Sequence, residues 1–422
     1  MPEGPLTVAL RTSFLLYMLL LLVHSLLQRW YARQDARRER EGARSAPPRG
    51  YMPTVDVVIP CLDEEPELLD DCFAAVLRRQ REYPGAVRVF VVDDGSRRYE
   101  RLRPVYEHYA GLPGWTVTRR GYAGKRHAQS IVLERGSSEI VVTVDSDTVL
   151  EAGALRAITV PLWQPDVGAV TGSIGVSNHS ENRLTRIIER QYAFLFGTER
   201  AAQSACDAVL CCAGPFAAYR RSVLSLVWDR YLNQRFLGMT CTTGDDIHLT
   251  NLVIGAGFRS VYQPRAVSRT QVPSTVRQYL RQQGRWYRSF YRELMWIAPL
   301  LPRRHPYLAV DVLARALVPL LLGLAYLLGA VEVTTGHLEL LRRDLVPLGA
   351  MTLTGAVFVV VRARNVRLAP IALLHAALLM LARLRALLGL YRERWATRRP
   401  GVDLQGADST TGLADREATD EA

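Results

Sequence analysis

The chain has 422 residues, 22% of them charged, and its 53 Lys and Arg against 41 Asp and Glu give a net charge of +12. A mean hydropathy of +0.01 at that charge content excludes a uniformly polar soluble chain and implies an ordinary polar domain joined to strongly apolar stretches. No helix-turn-helix, zinc-finger or RNP pattern accompanies the basic charge, which argues against a nucleic-acid partner. The six cysteines show no C-x-x-C spacing, which argues against a zinc site, and all six fall between the first and second apolar membrane segments, where they read as reduced thiols of a cytosolic domain and not a disulfide framework.

The first apolar stretch, residues 8–27, is interrupted only by Arg11 and has the roughly 20 residues needed to cross a hydrocarbon core. The basic run Arg29, Arg33, Arg37, Arg38, Arg40 and Arg44 follows it, so the N-terminus is expected outside and the next domain inside. A cleaved signal peptide would carry its positive charge first and a small-residue cleavage site after. Residues 1–30 therefore read as a retained anchor, and 31–53 as a basic linker.

From 54 to 270 the pattern is α/β with a mostly parallel sheet. Short apolar runs at 55–60, 87–92 and 140–144 are separated by helical stretches such as 66–81, as expected of strands buried on both faces. Two of these runs end in acids, Asp93-Asp94-Gly95-Ser96 and Asp145-Ser146-Asp147. Carboxyl ends of such strands are where open α/β sheets bind ligands.

Residues 271–303 read as amphipathic, basic and aromatic helix lying in a membrane interface. Within 304–391, residues 307–330 and 345–361 are long enough to span. The first of these carries Asp311 and Arg315, which either face a partner at membrane depth or snorkel at the helix end. Residues 368–390 hold too few apolar positions before Arg383 and Arg385 for a full crossing and read as interfacial or re-entrant. Residues 392–422 form a cytosolic segment with a polar, disordered tail. The whole is expected at the plasma membrane as a multi-pass protein.

The motifs carry recognisable chemistry. Asp145 and Asp147 supply hard oxygen ligands for Mg²⁺ or Mn²⁺ beside a diphosphate, and Lys125 in Gly124-Lys125-Arg126 supplies fixed positive charge. In Gly244-Asp245-Asp246, an acid beside another charge in a closed site has its proton affinity raised toward that of a general base. Either Asp fits that role by position, and Asp245 also fits a helix cap. In Gln282-Gln283-Gly284-Arg285-Trp286, Arg285 can clamp phosphate and Trp286 can form a flat platform for a sugar ring.

Taken in order, DDGS, DSD, GDD and QxxRW resemble the processive family-2 glycosyltransferases, which include hyaluronan, chitin and cellulose synthases. Longer blocks, GKRHAQ at 124–129, FGTERAAQS at 196–204, GDDIHLTN at 244–251 and WATR at 395–398, are similar to bacterial single-chain hyaluronan synthases. The single N-terminal segment is instead like the nodulation chitooligosaccharide synthases. The resemblance implies a GT-A-like nucleotide-sugar-binding domain and metal-dependent, inverting transfer from UDP-sugars to a growing polysaccharide.

It also implies roles by position. Asp63, Asp94, Lys125, Asp145, Arg285, Trp395 and Arg398 would bind the UDP-sugar, and Asp147 with Asp145 the metal. Gly214, Pro215, Tyr219, Arg220, Gln282 and Trp286 would hold the acceptor, and Asp246 would be the base. The leading expectation is hyaluronan made from UDP-GlcNAc and UDP-glucuronate and secreted through the membrane helices. The alternative is a chitin-like product from UDP-GlcNAc alone, and a non-processive lipid glycosyltransferase is a further one. Ile247 where these enzymes typically carry Arg, WATR for WGTR and GPFAAYR for GPLS-x-YR leave the donor sugars open.

Overall fold

The computed structural model describes residues 5–42, 47–334 and 369–391. The expected spanning segment 345–361 and the WATR segment with Trp395 and Arg398 lie outside them.

Helix α1 (Pro5–Arg40) is followed by β1 (Val55–Cys61), α2 (Pro66–Glu82), β2 (Val87–Asp94), α3 (Tyr99–Ala110), β3 (Trp115–Arg120), α4 (Lys125–Arg135), β4 (Ile140–Val144) and β5 (Thr148–Leu150). Then come α5 (Ala154–Thr159), β6 (Val167–Val176), α6 (Arg183–Phe194), a π-helical turn (Leu195–Arg200), α7 (Ala201–Ala205), β7 (Phe216–Arg220) and α8 (Arg221–Leu232). A two-stranded ribbon, β8 (Arg235–Phe236) and β9 (Met239–Thr240), precedes α9 (Asp245–Gly255), β10 (Arg259–Thr270), α10 (Val276–Ile297), α11 (Pro306–Thr334) and α12 (Ala369–Leu388).

Eight strands form one sheet in the order β3-β2-β1-β4-β7-β6-β10-β5. The β3, β2, β1 and β4 neighbours are parallel, as are β6 and β10. Strand β7 runs antiparallel to both β4 and β6, and β5 antiparallel to β10. The mostly parallel α/β sheet read from the sequence is therefore present, with β7 reversed at its centre.

The apolar runs alternate because both faces are covered. Val57 and Ile59 of β1 pack toward Leu69 and Phe73 of α2 and Tyr106 of α3. Val58 joins the opposite layer with Ile131 of α4, Val227 of α8 and Val253 of α9. Each such side chain removed from water contributes about 1.5–3 kcal/mol. The buried Asp56 at the start of β1 would oppose this, but it is paired with Arg88 at 2.9 Å, Arg221 at 2.5 Å and Ser138 at 2.7 Å.

Helix α1 does not stop at the end of its apolar stretch. It continues through Arg33, Arg37 and Arg38 to Arg40, so the first part of the basic linker is helical. Among the described residues, two helices are long and apolar enough to cross a membrane by length and composition, at Thr12–Arg40 and Pro306–Ala325. In α11 the Asp311–Arg315 pair faces partners. Asp311 is fully buried, 2.8 Å from His24 of α1, 2.7 Å from Gln203 of α7 and 3.0 Å from Arg315, whose guanidinium also reaches Glu199 at 2.9 Å.

Candidate active site

Because β1, β2 and β4 run parallel, their acidic carboxyl ends open on the same edge of the sheet. There they form one wall of a cleft of about 760 Å³ whose other walls come from the Gly214 loop, α9, α10 and the 270–274 segment. That size suits a small ligand with several polar anchors.

At the β2 end the two acids divide. Asp93 is fully buried and accepts from the Ser96 amide and the Tyr106 hydroxyl, both at 3.0 Å, which makes it a structural brace. Asp94 faces the cleft and accepts from the Ala123 and Gly124 amides at 3.0 and 2.7 Å. The intervening turn needs Gly95 at φ +77, where an added Cβ would sit 2.7 Å from the Tyr122 nitrogen. Asp63, also at positive φ, is not among the cleft-lining residues; its carboxylate accepts from the Arg97 amide at 2.6 Å and its amide donates to Ser96 Oγ at 2.9 Å.

Lys125, the first residue of α4, joins two motifs. Its Nζ lies 2.7 Å from Asp145 and 3.2 Å from Asp245. Gly214 leaves room for it: a Cβ there would lie 3.0 Å from that Nζ. Burial would lower the lysine's proton affinity, but the two carboxylates outweigh it and hold the ammonium charged. Asp147, two residues past Asp145, accepts from Thr270 of β10 at 3.0 Å.

Helix α9 brings the third acid pair. Its cap is Gly244 in the left-handed region at φ +76, not Asp245, and no side-chain cap bond is made. Asp245 and Asp246 are thus the first helical residues, where the macrodipole favours carboxylates. Asp246 accepts from the Ile247 amide at 2.8 Å and, at 3.4 Å, from the Gly214 amide and the Cys211 thiol. Burial first, and then the adjacent Asp245, push the Asp246 carboxyl above the usual carboxylate range. Burial acts on Asp245 too, but Lys125 and Arg126 overcome it and hold that carboxyl below its ordinary value. Two neighbouring acids therefore have opposite electrostatic characters.

From α10, Gln282, Arg285 and Trp286 all line the cleft. Gln282 Oε1 is buried with no hydrogen-bond partner among the described residues, and Trp286 is 39% exposed. Gly214 and Pro215 are present as well.

Tyr219 and Arg220 are not. Strand β7 places Val144 opposite Phe216 but Ile140 opposite Arg220, so these two residues lie toward the far end of β4 from Asp145. Tyr219 is buried in the core, and Arg220 donates to the carbonyls of Leu162, Gln164 and Val167 at 2.6–3.2 Å. The pair expected to frame the acceptor therefore does not line the cleft where the other candidate residues meet. Conversely, Cys211, Tyr192, Thr270 and Arg383 line the cleft although the sequence did not mark them as site residues. The thiol of Cys211 is pushed up, first by burial and then by Asp246, so it stays protonated and donates.

The same outline is found in known proteins. The family model described as "Glycosyltransferase like family 2" matches residues 53–289. An N-acetylglucosaminyltransferase of Sinorhizobium fredii is 38% identical over 359 residues, which is 83% of this chain and 85% of that protein. One from Mesorhizobium japonicum is 39% identical over 365 residues, 85% of each chain. Among solved structures, a mannosyltransferase from Pyrobaculum calidifontis in complex with GDP-Man and Mn²⁺ superposes with a TM-score of 0.62 at 21% identity. It covers 89% of this chain and 99% of that one, a likeness of fold. With its motifs assembled on a GT-A-like sheet, the chain belongs to glycosyltransferase family 2.

Proposed function

We propose that this protein is an inverting N-acetylglucosaminyltransferase that extends a chitin-like saccharide from UDP-GlcNAc at the cytosolic face of a membrane. The observation that carries the chemistry is the convergence of Lys125, Asp145, Asp147, Asp246, Gln282, Arg285 and Trp286 on one cleft. The donor is read from the relatives, which are named N-acetylglucosaminyltransferases over most of their length. This favours the homopolymer reading over hyaluronan, and UDP-glucuronate has no part in the proposed reaction.

In this mechanism Asp246 takes the proton of the acceptor hydroxyl as its oxygen attacks the anomeric carbon. The bond to the diphosphate breaks on the opposite side, inverting that carbon, and UDP leaves. A single base suffices for such an in-line displacement. Trp286 supports the acceptor ring, Gln282 offers it a hydrogen bond, and Arg285 clamps the diphosphate.

Asp145 and Asp147 would hold Mg²⁺ or Mn²⁺, which neutralises charge on the departing diphosphate when bound. The donor set fits. Two hard carboxylates face one cleft, and among the described residues no three acidic, His or Cys side chains form a self-sufficient cage. Diphosphate oxygens would complete such a site, as is usual for Mg²⁺ with nucleotides.

The test is product analysis from purified, membrane-reconstituted protein given UDP-GlcNAc, UDP-glucuronate or both. A chitinase-sensitive product from UDP-GlcNAc alone is expected. A product that requires both nucleotides and yields to hyaluronidase overturns the donor assignment.

A further inference from the structure

Below the cleft, a buried carboxylate that the transfer chemistry does not use joins the three elements that carry it. Glu293 lies on α10, seven residues after Trp286, and is 2% exposed. Its Oε1 accepts from His248 Nδ1 at 3.0 Å and from Gln234 Nε2 at 2.5 Å, and its Oε2 accepts from Asn251 Nδ2 at 2.8 Å. His248 and Asn251 are on α9, three and six residues after Asp245. Gln234 in turn accepts from the Nη2 of Arg126, the residue next to Lys125, and Arg126 also donates to the carbonyls of Tyr231 and Thr243.

The same two helices also meet through the edge-to-face rings of His248 and Trp296, 5.1 Å apart, and at the mouth of the cleft. A Cβ on Gly244 would lie 2.6 Å from Ser289 Cβ, so α9 begins in close contact with α10. Across that contact Ser289 Oγ meets Thr243 Oγ1 at 3.5 Å, a long and weak bond. A steric contact sets how near two helices come, not how they slide or turn about it. Three charge-assisted hydrogen bonds to one carboxylate do set this.

We infer that Glu293 is a positioning residue for the transfer reaction: it fixes α9, with the base Asp246, in register with the part of α10 that carries the acceptor-holding Gln282 and Trp286. The inference rests on the functional reading above for the roles of those side chains. Burying a carboxylate here is costly and gives little net stability over an apolar residue of similar volume. What it supplies is a unique arrangement, and transfer depends steeply on the alignment of base and acceptor.

Glu293→Gln keeps the volume but turns one carboxylate oxygen into a donor. The neutral amide removes the charge assistance from all three bonds, and the Asn251 arm survives only if that amide turns over. In purified full-length protein, kcat should fall about tenfold to a hundredfold, the scale of a sub-ångström to ångström misalignment. KM for the sugar nucleotide and calorimetric UDP affinity should stay within about threefold, since Asp94, Lys125 and Asp145 do not contact Glu293. Asn251→Ala, which removes one arm only, should give the same split at smaller size. A merely structural role would lower melting temperature, kcat and UDP affinity together.

A Glu293→Gln enzyme with kcat within twofold of wild type overturns the inference, as does a parallel loss of kcat and UDP affinity in both variants. If Glu293→Gln fails to fold, Asn251→Ala decides by the same criteria. The comparison uses whichever sugar nucleotide the wild-type protein consumes. Turnover of a donor other than UDP-GlcNAc therefore overturns the substrate reading and leaves the Glu293 result standing.

Discussion

Asp246→Asn separates binding from chemistry. Asparagine has nearly the same shape, and its Oδ1 can keep the 2.8 Å bond from the Ile247 amide. The other end, now an amide nitrogen, loses only the two long 3.4 Å contacts from Gly214 and Cys211. Those losses cost about 1 kcal/mol at most, and removing a charge beside Asp245 offsets them, so the melting temperature should hold or rise slightly. Lys125 keeps both its carboxylates, and Asp94 is untouched, so UDP affinity should stay near wild type. Turnover should not survive. A positioned general base contributes about 10²–10⁴-fold, or about 3–5 kcal/mol of barrier. The assay is initial-rate UDP release by purified protein, with UDP binding measured calorimetrically on the same preparation. An Asp246→Asn enzyme that keeps more than a tenth of wild-type kcat refutes the base assignment, and one that no longer binds UDP refutes the division of roles.

The pH profile follows from the same residue. Asp246 must be ionised to accept a proton, and its carboxyl is raised by burial and Asp245, so kcat should fall as pH drops through that raised value. An acid limb at the ordinary carboxylate position near pH 4 contradicts this. Gly244→Ala places a Cβ against Ser289 at a φ of +76 and should cost about 1–2 kcal/mol in urea unfolding. Because the strain displaces Asp245 and Asp246 directly, kcat should fall at least tenfold; normal kcat in a folded variant argues against the close contact. Chelation should abolish transfer, with Mn²⁺ or Mg²⁺ restoring it, and Asp147→Asn should weaken the metal-dependent part of UDP binding; full activity in excess chelator refutes the carboxylate pair as a metal site.

Much of this was legible in the chain because it was written in short-range chemistry. Residues 55–60, 87–92 and 140–144 are apolar runs too short for helices, and they fold as β1, β2 and β4 with their acids at one edge. Direction was harder. Tyr219 and Arg220 follow Gly214-Pro215 closely in sequence, and only the antiparallel pairing of β7 with β4 shows that each step along it leads away from Asp145. Strand sense is set by long-range partners and leaves no local mark. Cys211 and Glu293 were hidden for a related reason. A single thiol, or one acid in an amphipathic basic helix, acquires meaning only when another element supplies its partner.

The pair Asp245-Asp246 shows how an ambiguity of sequence is resolved by charge placement. By position alone either acid could take a proton, and Asp245 could simply cap its helix. The cap is Gly244, which frees both acids from that duty. Lys125 then sits 3.2 Å from Asp245 and 2.7 Å from Asp145, so Asp245 is held ionised and has little appetite for a proton. A base must bind a proton in one step and surrender it in the next, which suits an affinity raised toward the working pH. Asp246 has that character partly because Asp245 is permanently charged beside it. In the proposed mechanism the lysine would thus do more than attract a nucleotide: by fixing the charge of one aspartate it would prepare the other. Replacing Asp245 by Asn should accordingly move the acid limb of the pH profile downward, the reverse of what loss of a base would do.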